Sequence, residues 1–297
     1  MPDNPLAEVF GYPCNNLSSK AKRYRELKLC PFQNKVPNCT KDKADNPLGV
    51  CSVFYGNGIA ITCPIRFQQD WLIAEDAAGF FFPASVSWTS LTEVRLNDKN
   101  GNTAGNIDVV LVAYNFAGKV TDFGALEIQA VYISGNVRRP FEYYMGKQSE
   151  RFNMDWRKET NYPRPDYLSS SRKRLVPQLL YKGGILNAWK KKIAVALDEG
   201  FFATLPNLKE VKQEQADIAW LVYKIEYNES DQMYSLIRGK IVYTLFNDSL
   251  DKIARPEIGS PKDFIETLQE KLDKQLEGNP PENKTIDLER LKDIGTE

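Results

Sequence analysis

Residues 122–134 read DFGALEIQAVYIS, and their middle, Leu126-Glu127-Ile128-Gln129-Ala130, decides the fold. Gly124 before it and the β-favouring Val131, Tyr132 and Ile133 after it predict a strand over 125–133. In a strand residues i and i+2 share a face, so Glu127 and Gln129 point one way while Leu126 and Ile128 point into the opposite layer. That face is either wet or holds a site. Upstream, IDVVLVAYNF predicts a second strand over 107–116, joined through residues 117–124 with Gly118 and Gly124 in the turn. Adjacent antiparallel strands bring Asp108 near Glu127, where two carboxylates repel unless they share a cation. Hard oxygen ligands of this kind suit Mg²⁺, which activates water and stabilises developing negative charge on phosphorus. Glu93 in LTEVRL is a further candidate carboxylate, with an ordinary surface glutamate as the alternative.

The absence of any histidine among 297 residues narrows the chemistry further. It excludes a Ser-His-Asp triad, a Cys-His nucleophile, histidine-based metal triads and histidine-based nuclease motifs, because each needs an imidazole. Any catalysis falls to carboxylates. No apolar run is long enough to span a bilayer, and MPDNPLAEVFGY lacks the basic and apolar regions of a secretory signal, so the chain is expected in the cytoplasm without membrane attachment.

The net charge of zero conceals an uneven distribution. Residues 1–135 hold 12 basic and 13 acidic side chains, residues 136–195 hold 14 and 5, and residues 196–297 hold 13 and 21. A basic band of this kind meets phosphates, or is simply a solvated surface. Within it SRKRLVPQLLYKGGILNAWKKKIAVALDEG repeats apolar residues at helical spacing, from Leu175 and Leu179 through Ile185 and Trp189 to Ile193 and Leu197, with Gly183-Gly184 expected to bend or divide the helix. The polar, proline-broken passage before it, 152–171, reads as a loop. ADIAWLVYKIEYNES and YSLIRGKIVYTLF read as strands, and SPKDFIETLQEKLDKQLEG as a helix capped by Ser260 and ended by Gly278. The sequence from GNPPENKT onward reads as a tail. The order predicts an α/β fold with a mixed sheet.

The first 65 or so residues are rich in Asn, Pro, Gly and Lys, and contain Cys30, Cys39, Cys51 and Cys63 in the spacing C-x8-C-x11-C-x11-C. They read as a loop-rich module stapled by a tetrathiolate metal, Zn or Fe, or alternatively as disulfides or scattered free thiols. The division is residues 1–70 for this module and 71–297 for the core with the helical segment and the C-terminal strands and helix.

Asp108 followed by Glu127-Ile128-Gln129 resembles the PD-(D/E)xK nuclease pattern, with Gln129 where a lysine usually stands. The passages AEVFGY, KLCPF, VPNC, GVCSV, ITCPIR, NIDVVLVAY and GALEIQAV together resemble the NotI family of type II restriction endonucleases, over residues 7–135 and less closely to 206. The resemblance implies a PD-(D/E)xK core, and makes E-x-Q the family's own variant of its active site. It implies Cys30, Cys39, Cys51 and Cys63 as ligands of a structural metal, described as iron. Asp108, Glu127 and Gln129, with Glu93 as a further contributor, become the catalytic residues, and Asp108 and Glu127 the Mg²⁺ ligands. The expected function is sequence-specific hydrolysis of double-stranded DNA by a homodimer, since cutting both strands of a palindrome calls for two sites about a twofold axis. Arg138, Arg139, Arg172, Lys173, Arg174 and Lys190, with Lys191 and Lys192, are then candidate DNA contacts. The alternatives are a metal-stapled DNA-binding protein without catalysis, or a repair or phage nuclease of the same fold.

Overall fold

The computed structural model describes residues 2–33, 37–42, 45–255 and 258–278. Met1–Arg255 form one compact unit and Pro256–Glu297 a second. In the first, the central element is a six-stranded mixed sheet of order β12-β11-β10-β7-β6-β5. Its strands are β5 (Trp88–Asn97), β6 (Thr103–Tyr114), β7 (Val120–Gln129), β10 (Ile193–Asp198), β11 (Ile218–Asn228) and β12 (Met233–Thr244). β7 joins the two halves: it is antiparallel to β6 and parallel to β10. Two short strands, β8 (Ile133–Ser134) and β9 (Arg164–Pro165), pair separately.

Alternation along β10 shows how the sheet is covered. Ala194 and Ala196 pack with Leu126, Ile128 and the apolar side of α2 (Leu72–Phe81), whereas Ile193, Val195 and Leu197 pack with Ala125 and with Leu175, Leu179 and Leu186 of the long helical run 167–188. The small residues on the first side let α2 approach closely. Gly124 carries the face of the Phe81 ring, where a Cβ would stand 2.4 Å from ring carbon.

The stretch 193–198, expected to continue the helix, is instead the central strand β10, with all six residues buried. A strand covered on both faces and paired in parallel on both edges has no polar alternation, so its apolar run is compatible with either period. The preceding run is helical from 167 to 188, and Gly183 and Gly184 neither bend nor divide it, with φ of −61° and −59°. Gly183 instead accepts the Phe246 ring against its Cα. Its wide turns, Ser171–Leu175 and Leu179–Gly183, are π-helical and flank Pro177. Proline gives no N–H to the carbonyl one turn back and its ring crowds that carbonyl, which favours wider winding beside it.

The N-terminal region is more ordered than its composition suggests. β1 (Leu6–Val9), β2 (Tyr12–Pro13), β3 (Val50–Tyr55) and β4 (Gly58–Ile61) form an antiparallel sheet of order β2-β1-β3-β4, with helix α1 (Ser19–Glu26) inserted between β2 and β3. Leu6, Val9, Val50 and Val53 pack in the same cluster as the helix-covered face of the large sheet. Asp198, at the end of β10, accepts from Ile61 N–H at 3.1 Å and so ties β4 to the sheet. A further helix, α3 (Arg138–Gly146), follows β8.

In the second unit, Pro261–Gly278 is a helix, and the Ser260 hydroxyl accepts from Lys262 N–H at 3.1 Å as expected of its cap. Gly278, expected past the end, is itself helical. The tail from Asn279 lies outside the described residues.

Candidate active site

β6 and β7 pair from Tyr114 opposite Val120 to Val109 opposite Leu126, so Asp108 and Glu127 are the next opposed residues, where the ladder stops. The next N–H of β7, that of Ile128, donates to Asp108 Oδ2 at 2.8 Å in place of a backbone carbonyl. On its other edge β7 remains paired with β10 as far as Gln129 opposite Leu197. Glu127 and Gln129 are therefore held rigidly by one neighbour at the point where the other diverges, which opens a notch between β6 and β7. Leu126, Ile128 and Ala130 face α2, and Glu127 and Gln129, alternating with them, face the long helical run.

Two side chains from that run close over the motif. Lys182 Nζ donates to Glu127 Oε2 at 2.5 Å and to the Asn106 carbonyl at 2.8 Å. Gln129 Nε2 donates to Gln178 Oε1. Glu127 and Lys182 are both 4% exposed, so neither charge is shared with bulk water. Glu127 Oε1 is buried with no hydrogen-bond partner in the protein. Burial, then the charge of Asp108, pushes the Glu127 carboxyl up to about 8 against the opposing pull of Lys182. Burial also raises Asp108, while the Ile128 N–H and Lys182 act the other way. Two carboxylates that resist ionising together, one with an unmatched buried oxygen, are suited to a shared divalent cation.

Glu93 stands on β5. The register Thr92 opposite Val109 and Val94 opposite Ile107 places it across from Asp108. It is exposed, its φ is +56°, and its Oε2 accepts from Asn106 Nδ2 at 3.3 Å. Its charge raises both Asp108 and Glu127. The structure thus brings Asp108, Glu127 and Gln129 together and sets Glu93 at the rim. Lys182 and Gln178 were missed in the sequence. The signal was available for Lys182, which falls in register with the buried Leu175, Leu179 and Leu186, where a lysine needs a partner.

The candidate DNA contacts separate into two groups. Arg138 pairs with Asp42 at 2.5 Å and Arg139 with Glu159 at 2.8 Å. Lys191 pairs with Asp122 at 2.5 Å, Lys192 donates to the Phe80 carbonyl at 2.9 Å, and Arg174 lies over the Tyr132 ring. Arg172, Lys173 and Lys190 are exposed and enter no salt bridge among the described residues.

The cysteines come from two paired segments. Leu29 bridges Asn38, with Cys30 N–H donating to the Pro37 carbonyl at 2.7 Å and Cys39 N–H to the Lys28 carbonyl at 2.8 Å. The β3–β4 hairpin sets Cys51 beside Cys63 through Thr62 N–H donating to the Cys51 carbonyl at 3.0 Å. The second x11 spacing is thus the β3–β4 hairpin that returns Cys63 to Cys51, and the Leu29–Asn38 bridge brings Cys39 back towards Cys30. All four are free thiols lining one small cavity with Phe10, Leu48 and Ile65. Burial pushes Cys30 up to about 12 and raises Cys39 and Cys51, and in each case a neighbouring cysteine adds to the rise. Among the described residues no group of three or more Cys, Asp or Glu stands arranged to hold a metal ion. No helix among them is long and apolar enough to cross a membrane.

No curated protein matches this chain. The family model described as restriction endonuclease NotI matches residues 15–236, a span that contains the four cysteines, the Asp108 and E-x-Q strands and the helical run that supplies Gln178 and Lys182. That span is well over half of the chain, and the protein belongs to the NotI restriction endonuclease family.

Proposed function

We propose that the protein is a type II restriction endonuclease with a PD-(D/E)xK core, hydrolysing phosphodiester bonds at a fixed sequence in double-stranded DNA with Mg²⁺. The observation that carries this is the opposed pair of half-buried Asp108 and buried Glu127 at the end of the β6–β7 ladder, with Glu127 Oε1 unpartnered. Mg²⁺ is commonly held by one or two carboxylates, with water and substrate phosphate completing the shell, and this donor pair fits it. A cation bound there would supply charge neutralisation at the phosphate and an acidified water. Glu127 and Asp108 would hold the cation. Gln129, steadied by Gln178, orients the attacking water or a phosphate oxygen, and as a neutral amide it accepts no proton. Glu93 adds negative charge at the rim. Exposed Arg172, Lys173 and Lys190 offer phosphate contacts, and a homodimer in the bacterial cytoplasm would cut both strands of a palindrome.

Cys30, Cys39, Cys51 and Cys63 would hold a structural Zn or Fe within a module of residues 1–70. Four thiols delivered by two hairpin-like segments to one cavity fit a tetrahedral thiolate site in donor type and number.

Incubation of the protein with a long, unmethylated duplex of known sequence tests the reading, with Mg²⁺ or Ca²⁺ and with Glu127→Gln and Asp108→Asn alongside. Discrete fragments with Mg²⁺ alone, reduced about a thousandfold or more in either variant with DNA binding retained, are the expected outcome. Binding without cleavage by the unaltered protein would instead favour a non-catalytic DNA-binding protein.

A further inference from the structure

Lys182 makes a contact that the E-x-Q motif does not account for. The sequence position that supplies an ammonium in the E-x-K pattern is here Gln129, yet an ammonium still reaches the acidic strand, from a π-helical turn more than fifty residues later. Its two bonds fix its place. One goes to Glu127 Oε2 at 2.5 Å, and the other to the Asn106 carbonyl, two residues before Asp108 on β6, at 2.8 Å. Lys182 therefore spans both strands of the notch. It engages one carboxylate oxygen of Glu127 and leaves the other, Oε1, buried without a partner.

We propose that Lys182 is a positioning residue for DNA cleavage: it holds Glu127 through Oε2 so that Oε1 faces the Asp108 side of the notch, and fixes the separation of β6 and β7 at the site. The inference rests on the nuclease reading above. Its physical basis is the burial of the pair. A charge-assisted hydrogen bond in a low-dielectric site is strong and directional, and without it Glu127 would be left beside Asp108 with no cation to set its rotamer. The helical register supports the same role, because Lys182 lies on the inward face with Leu179 and Leu186, which stay in the core. The lysine stem passes over Gly105 of β6, with Lys182 Cδ 3.6 Å from where a Cβ on that glycine would stand.

The test compares the unaltered protein with Lys182→Met, Lys182→Gln and Lys182→Arg. Each is measured for melting temperature, for duplex binding in Ca²⁺, and for single-turnover cleavage across a Mg²⁺ titration. Misplacing a reacting group by about 1 Å costs about a hundredfold in rate, so Lys182→Met should fall by about that factor at saturating Mg²⁺. Duplex affinity in Ca²⁺ should stay within about threefold. Lys182→Arg should recover about tenfold of the lost rate, since it restores a charged donor with a different fork geometry. A purely structural lysine would move the melting temperature without this division between binding and rate. Cleavage by Lys182→Met within about threefold of the unaltered protein overturns the proposal, as does Lys182→Arg remaining as slow as Lys182→Met. If Lys182→Met does not fold, Lys182→Gln decides, because its amide still donates to Glu127. A rate at least about tenfold down then supports the charge-assisted role, and a rate within about threefold overturns it. Failure of the unaltered protein to cut any duplex overturns the nuclease reading together with the lysine's role. Cleavage unaffected by all three substitutions overturns the lysine's role alone.

Discussion

Glu93 holds a φ of +56° inside a paired strand, directly across from Asp108. For a residue with a Cβ the left-handed region is strained, and strain of this kind persists only where the surroundings enforce it and often marks a functional position. The proposed rim role for Glu93 and its backbone geometry therefore point the same way. Glu93→Gly removes the Cβ clash and should raise unfolding free energy by roughly 1 kcal/mol, measured by urea denaturation. If Glu93 contributes to the site, the same variant should cleave DNA more slowly despite its greater stability. Unchanged cleavage would mark Glu93 as a surface residue, and lowered stability would remove the argument from strain. The positive φ was not legible in LTEVRL, because nothing in that stretch departs from an ordinary strand or helix end.

At the scale of elements, β7 is the strand on which the others are placed. It carries the catalytic candidates on one face and the packing surface for α2 on the other, and Gly124 allows that packing because the Phe81 ring occupies the space of a side chain. Gly124→Val should lower stability by about 1–3 kcal/mol through overpacking, with a smaller loss for Gly124→Ala. Thermal or urea unfolding measures this, and an unchanged midpoint would mean that α2 can shift at no cost. The hairpin of β6 and β7 was readable in the sequence because alternation, β-branched residues and a glycine-bearing turn all agree there. β10 was not, since its apolar run of IAVALD continues a helical spacing begun by Leu175 and Leu179. Only parallel pairing with β7 and β11 separates the two possibilities.

For the whole molecule, the pairing of individual side chains divides the basic band that the segmental charge excess marks out. Arg138, Arg139 and Lys191 are engaged with acidic neighbours, while Arg172 and Lys173 are free of salt bridges among the described residues. Arg172→Gln and Lys173→Gln should each reduce the slope of log binding constant against log salt by about 0.9, whereas Arg138→Gln should change it less. Duplex binding in Ca²⁺ at several salt concentrations measures the difference, and equal slopes for all three variants would place the phosphate contacts elsewhere. The proposed thiolate site predicts about one Zn or Fe per chain by elemental analysis, and a lower melting temperature after chelation. Metal-free protein with an unchanged melting temperature would leave the four thiols as a packed cavity wall.

The sequence by itself determined the acidic strand pair, the absence of imidazole chemistry and the family, because these depend on residue identity and on short-range alternation. The tertiary structure alone decided that the N-terminal region is a four-stranded sheet sharing a cluster with the core, that IAVALD is a central strand, and that Lys182 and Gln178 meet Glu127 and Gln129. Those outcomes depend on which surfaces bury each other across long stretches of chain. A lysine on an apolar helical stripe announces that it needs a partner, but the identity of that partner is fixed only when the helix lies down on the sheet.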